Sequence, residues 1–475
     1  MIFRSTIVAC CIWLSAAVQA QAIDPEDIGT PATARQDVSK LSVPELRKKV
    51  SEAYQAENFT LLRDALVALG NLRPYNSEYM FQLVLANALL DDKAAAYDTM
   101  LKMQRQGLSY DFDKAPESQN IRGTELYEHL NGLMVSAANP LGDASVVARL
   151  AAEVLLPDSI AWDASREAFL VGTITDGLIL QVDADGQSRE LLRASEENGL
   201  WGVYGLAVDS ARNRLYASSA SNPQFRGGKK EDQGRSMLVE FQLDTMEILH
   251  RYPVPADGRP HILGKLVIDP AGKIFATDAL LPMVYVLEPG EPALRPYFNQ
   301  PYFVSLRGMD LSENGRLLYL ADHEMGITVI EIASARSVRL KGPETLNLGG
   351  IDGLSVWGNS LVIVQSGISP QRVMRLDLDP TGTSVSAIAP MAVALDIFDT
   401  PRYGEVRGDE FFFLANSHWG KDEPSAVTIA RINIAETPTM VDPQLEQLLD
   451  QYRKSQAAGM VRPGDSLPGE GEKKD

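Results

Sequence analysis

The chain reads as a mainly β protein, a six-bladed β-propeller preceded by a small all-α domain. Three observations predict it. Apolar residues recur at helical spacing from about Val43 to Val135; the texture changes after Asn139-Pro140-Leu141-Gly142 to short apolar strands with turns; one paired-strand pattern then returns six times. With 475 residues, 45% of them apolar and 23% charged, the composition is that of an ordinary globular protein. That length leaves room for about two to three domains.

Taken in order, residues 1–22 read as a secretory signal. Arg4 gives the positive start and Thr6 to Val18 the apolar stretch, and either Val18-Gln19-Ala20 or Ala20-Gln21-Ala22 is the cleavage site. The expected destination is the periplasm or the outside of the cell. Cys10 and Cys11 are both inside the signal, so the exported chain is expected to carry no thiol, disulfide or thiolate metal site. No later segment is apolar for long enough to span a membrane. Residues 23–40 are a polar, proline-containing lead.

Residues 41–140 form the helical domain. Ser42 is placed to cap a helix opening at Pro44-Glu45-Leu46, and Tyr79, Leu83, Ala86 and Leu90 keep helical spacing. Asp91-Asp92 marks a turn, and Ala94 to Arg105 is a partner helix stopped by Gly107. The run from Pro74 to Ala95-Ala96 resembles a tetratricopeptide hairpin, without the signature Trp and over about one and a half repeats. That resemblance implies a surface for another protein; the other reading is a helical unit that packs on its neighbour.

Residues 145–436 form the propeller. Leu206-Ala207-Val208-Asp209 leads through a turn to Leu215-Tyr216-Ala217-Ser218, and Leu266-Val267-Ile268-Asp269 leads to Ile274-Phe275-Ala276-Thr277. Four further copies begin at Ile160, Met309, Leu354 and Val406. Spacings run mostly from 43 to 50 residues, with 60 between the second and third copies, where the polar loop Asn222 to Arg235 is inserted. A strand near Val146-Val147 is expected to pair with Val427 to Ile432 and close the ring. Residues 437–475 read as a short helix and a polar tail.

In a propeller the starts of the innermost strands meet at one mouth of the central channel. The residue just before each blade's Gly or Ser (Lys265 in the third blade) is Asp158, Tyr204, Gly264, Arg307 and Asp352, with Arg402 or Tyr403 in the last blade. These define the candidate ligand site. His261, just before the third inner strand, is the candidate general base.

The repeat region, about 290 of the 475 residues, resembles the senescence marker protein/gluconolactonase superfamily, which includes strictosidine-synthase-like propellers. The resemblance rests on Asp158-Ser159-Ile160-Ala161-Trp162, Val267-Ile268-Asp269-Pro270-Ala271-Gly272, Ile351-Asp352-Gly353-Leu354 and Leu414-Ala415-Asn416-Ser417-His418-Trp419. It implies a divalent cation, calcium or zinc, held in the channel for lactone or ester hydrolysis, with Asp158 and Asp352 as ligands. The remaining ligand places hold Gly264 and Arg307, so half the cage is missing. Three readings stay open: an Arg–Asp network closing the channel, a mouth where Arg307 holds a polar or anionic small molecule, and a hydrolase whose shell is completed by His261 or water.

Lys and Arg number 44 against 63 Asp and Glu, a net charge of −19, which argues against nucleic acid or anionic lipid as partner. Walker, dinucleotide, HExxH and GxSxG motifs are absent. The expected function is therefore ligand or protein binding, with the metal-dependent hydrolase as the alternative.

Overall fold

The computed structural model describes residues 37–420 and 425–437. The expected signal sequence, most of the lead and nearly all of the expected C-terminal helix and tail lie outside the described residues.

Five α-helices come first: α1 (Val43–Gln55), α2 (Phe59–Leu72), α3 (Ser77–Leu89), α4 (Lys93–Arg105) and α5 (Glu125–Ser136). Their starts follow capping chemistry. Glu45 accepts the Ser42 backbone N–H at 2.8 Å and its hydroxyl at 2.6 Å. The side chains of Asn58, Asn76, Asp92 and Thr124 each accept a backbone N–H from the first turn of the following helix. Gly107, at φ +64, ends the α4 turn in the left-handed conformation that glycine adopts at least cost.

Six sheets follow, each of four strands or more, with inner strands Pro157–Asp163, Gly202–Asp209, Leu263–Ile268, Leu306–Leu311, Ile351–Trp357 and Gly404–Arg407 for blades 1 to 6. All neighbouring strands within a blade run antiparallel. Six of the apolar clusters fill the six gaps between adjacent blades; Ile160 and Phe169 of blade 1, for example, share one with Phe412 and Leu414 of blade 6. Second strands such as Ala168–Thr173 and Leu317–Asp322 are buried along their whole length because they are covered on both faces.

The ring closes as the sequence predicts. Ser145–Leu150 is the outermost strand of blade 6 and pairs antiparallel with Val427–Asn433, Val146 opposite Ala430. A closed ring leaves no pair of open edges at the seam.

The helical unit sits on blades 4 and 5. Arg73 Nε donates to Glu324 Oε2 at 2.8 Å, and Ser109 N–H donates to the Ser369 carbonyl at 2.7 Å. Tyr75 packs into the apolar cluster shared by those blades. The buried Arg372 donates through Nε to Gln365 Oε1 at 2.7 Å and through Nη1 to the Gln106 carbonyl, at the C-terminus of α4, at 2.9 Å. A cation there meets the negative end of the helix dipole. Glu324 and Ser369 lie in the turns after the second strands, whose ends pair with the inner-strand starts (Leu306 with Asp322, Ile351 with Gln365). The helices therefore border the channel mouth.

Candidate ligand site at the channel mouth

Each ring residue in blades 1 to 5 lies at a β-bulge. Pairing passes from Pro157 to Ser159, Val203 to Gly205, Leu263 to Leu266, Leu306 to Met309 and Ile351 to Gly353, so Asp158, Tyr204, Gly264, Arg307 and Asp352 are left out of the ladder at the mouth. The small residue that follows has a steric reason. A Cβ on Gly205 would come within 2.1 Å of the Gly264 carbonyl oxygen, and one on Gly308 within 2.6 Å of Leu354 N, so neighbouring inner strands could not approach. Blade 6 pairs from Gly404 to Arg407, and just before it the Arg402 N–H donates to the Leu414 carbonyl while the Leu414 N–H donates to the Tyr403 carbonyl, so two residues again oppose one. Both Arg402 and Tyr403 then reach the ring.

Arg402 is the centre of the site. Its Nε and Nη2 donate to Asp158 Oδ1 at 3.1 and 2.9 Å, and its Nη1 donates to Asp352 Oδ1 at 2.9 Å. Its guanidinium lies 5.2 Å from the Tyr403 ring centroid and 5.6 Å from that of Trp419. Trp419 Nε1 also donates to Asp158 Oδ1, at 2.9 Å, and Ser366 Oγ donates to Asp352 Oδ2. All three charged groups are buried. Burial pushes the Asp158 carboxyl up against the pull of Arg402. Burial acts the same way on Asp352, but Arg402, His323 and Arg307 together outweigh it and hold that carboxyl low. Burial also raises the Tyr403 phenol, to about 12.

In the Arg–Asp network it is Arg402 that bridges the two carboxylates. Arg307 stands apart, with Nε 4.0 Å from Asp352 Oδ1, that nitrogen buried without a hydrogen-bond partner and the side chain 32% exposed. The expected calcium or zinc ligands do not fit a cation: a guanidinium stands between Asp158 and Asp352, and Gly264 has no side chain to offer. Among the described residues no three His, Cys, Asp or Glu side chains gather as a metal site.

The expected base, His261, is engaged elsewhere. Its Nδ1 is 2.7 Å from Asp278 Oδ2 and its Nε2 3.0 Å from Asp257 Oδ1, so neither ring nitrogen is left for a substrate. Asp278 also accepts backbone N–H groups from Ile262, Leu280 and Leu281, as its blade 4 counterpart Asp322 accepts those of Val304, Ser305, Glu324 and Met325. These carboxylates fasten turns. His418 is structural too, accepting the Leu156 N–H at Nδ1 and facing the Ser425 carbonyl through Nε2.

Tyr204 lines the narrow space below the bridge with Asp158, Ser159, Lys265 and Tyr403. The Tyr204 hydroxyl is buried near Asn222 without a hydrogen bond of good geometry. Burial and the charge of Asp158 push its pKa up.

Several residues escaped the sequence reading. His323 Nε2 is 3.9 Å from Asp352 Oδ2, and burial lowers the pKa of the imidazole despite that carboxylate. It and Ser366 each follow a second strand, so aligning the ends of second strands would have found them. Further along the inner strands lie Lys265, Asp310 and Glu405. Asp310 Oδ2 accepts the Val356 N–H at 2.7 Å. Burial raises the Glu405 carboxyl to about 7, opposed by Lys265 and reinforced by Asp310.

The fold and mouth together define a six-bladed propeller whose channel mouth carries a buried Arg–Asp network. No protein-family model and no curated protein matches the chain. Among solved structures it is similar to the aldose sugar dehydrogenase of Streptomyces coelicolor in its PQQ-bound form (16% identity, TM-score 0.44), over 62% of this chain and 98% of that one. It is also similar to the gluconolactonase XC5397 of Xanthomonas campestris (14% identity, TM-score 0.42), over 62% and 99% of the two chains. A luciferin-regenerating enzyme is similar at 11% identity and TM-score 0.45, over 64% and 98%. These likenesses are distant, and the six-bladed assignment rests on this chain's own strand order.

Proposed function

We propose that this protein is an exported binding module whose channel mouth, bordered by the helical unit, captures a polar or anionic ligand with Arg307 as the recognising cation. One observation carries the reading: Arg402 already hydrogen-bonds both ring carboxylates, while Arg307 beside them is partly exposed and its Nε has no hydrogen-bond partner. A guanidinium suits an anion because its planar fork donates two parallel hydrogen bonds. The helical unit is fixed against blades 4 and 5 and gives this face a wall, which is also where a protein partner would rest.

The test is calorimetric titration of sodium acetate and sodium sulfate into the full chain, and into Arg307→Gln. Saturable binding lost in the variant supports the reading; no binding of either anion counts against it. The alternative, a metal-dependent lactone or ester hydrolase, requires Arg402 to leave Asp158 and Asp352 to a cation. Saturable one-to-one binding of Ca²⁺ or Zn²⁺, abolished in Asp352→Ala, would favour that alternative.

A further inference from the structure

The mouth is divided in two. On blades 4 and 5 it is polar, with Arg307, His323, Asp352 and Ser366. On blades 1 to 3, beside the charged Asp158–Arg402 bridge, it carries an apolar patch: Ile174, Tyr204, Ala220 and Ile262 form a buried cluster, with Leu156, Ala279 and Trp419 half-buried around it. Leu280, in the turn after Asp278, is exposed on the same side. The residue after the second strand is Ile174 in blade 1 and Ala279 in blade 3, against His323 and Ser366 in blades 4 and 5, while blade 2 has Ser221 there.

Two features mark the apolar crescent as more than ordinary packing. Leu156 holds φ +50, a left-handed conformation that an aliphatic residue rarely adopts. It is pinned there because its N–H donates to His418 Nδ1 at 3.1 Å and its carbonyl accepts the Ile174 N–H at 3.0 Å. Backbone strain of this kind persists where the surroundings over-determine it, and such places gather at ligand sites. In addition, the Tyr204 hydroxyl is buried without a hydrogen-bond partner at the edge of the crescent, near Asn222 and Asp158.

We infer that the ligand is a small amphipathic carboxylate, seated with its carboxylate on Arg307 and its apolar body across Leu156, Ala279, Leu280 and Trp419. This rests on the anion-binding reading above and deepens it. Charge complementarity chooses the anionic end, because Arg307 is partly exposed and its Nε, 4.0 Å from Asp352 Oδ1, has no hydrogen-bond partner. The apolar half chooses the body, since covering it removes exposed hydrocarbon from water.

Three probes separate the two claims: acetate has the charge alone, benzyl alcohol the body alone, and phenylacetate both. Each is titrated calorimetrically into the full chain, into Arg307→Gln and into Leu156→Asn. Asn tolerates positive φ, so Leu156→Asn removes the apolar surface without adding backbone strain. Thermal melts confirm that each variant is folded, and Arg307→Lys restores the charge if the Gln variant is not. Phenylacetate should bind about ten-fold more tightly than either partial probe, a difference the burial of a ring can supply. Arg307→Gln should reduce it to the level of benzyl alcohol, and Leu156→Asn should bring it close to acetate. Equal, Arg307-dependent binding of acetate and phenylacetate would overturn the amphipathic assignment while leaving the anion site standing. Binding of none of the three would overturn both.

Discussion

Replacing Arg402 by Met tests the central bridge most directly. The substitution keeps an apolar stem between Tyr403 and Trp419 but removes the charge shared by Asp158 and Asp352, which are 4% and 2% exposed. Taking one partner from a buried ion pair costs about 3–5 kcal/mol, mostly as the penalty of leaving the other charge uncompensated. Here Trp419 still donates to Asp158, Ser366 still donates to Asp352, and Arg307 is 4.0 Å away. These remaining contacts place the loss near the lower end, about 3 kcal/mol, which for a unit of about 300 residues is roughly 5 °C in melting temperature. The pH dependence has a definite sign. In the parent, the lowered Asp352 carboxyl contributes stability above its unfolded value and loses it only as pH falls through the lower folded value. In the variant, burial without the guanidinium raises both carboxyls, so the deficit is full at about pH 8 and shrinks toward about pH 5 as they protonate. Circular-dichroism melts across that range measure it. Converting both aspartates to Asn in the same variant should recover most of the loss. A melting temperature within about 1 °C of the parent, or a deficit independent of pH, would refute the account.

Four further outcomes are expected. Glu405→Gln should gain stability relative to the parent as pH rises from about 5 to 8, by about 2 kcal/mol at most, because a raised carboxyl loses stability as pH climbs toward its folded value; urea titrations at the two ends read this. Arg372→Met leaves the Gln106 carbonyl and Gln365 Oε1 without their donor, so it should cost about 1–3 kcal/mol and speed amide exchange at the end of α4. Gly367→Ala brings a Cβ to 2.3 Å from His323 Nε2, so it should displace that imidazole from Asp352, visible as a shift of its ring proton resonances. Gly205→Ala meets the Gly264 carbonyl at 2.1 Å and should lower the melting temperature by about as much as Arg402→Met, since backbone cannot move aside as a side chain can.

The blades were legible because each is a local unit: a turn joins two apolar runs, and the pattern returns at nearly fixed spacing. The ring positions were legible for a related reason. Each is followed by Gly, Ser or, once, Lys265 in place of a bulky apolar residue, and the close approach of neighbouring inner strands at Gly205 and Gly308 shows why small residues stand there. The choice between Arg402 and Tyr403 was not legible, since both stand opposite Leu414 and both side chains reach the ring. Nor was the identity of the bridging arginine. Asp158 and Arg402 are brought together only when the ring closes, 244 positions apart in the chain. The docking of the helices was hidden because Glu324, Ser369 and Gln106 sit in turns and a cap, where no periodicity marks a contact.

The closing strand also sets an order of events. Ser145–Leu150 leaves the ribosome before any blade, yet its partner Val427–Asn433 is among the last described segments to follow. Until that partner arrives, blade 6 is incomplete and the first blade has no neighbour against Ile160 and Phe169. The seam is therefore the slow, long-range step of assembly, its loop closure spanning nearly the whole propeller. A chain interrupted anywhere in those intervening blades would carry two bare sheet edges, each able to recruit the matching edge of another unfinished copy.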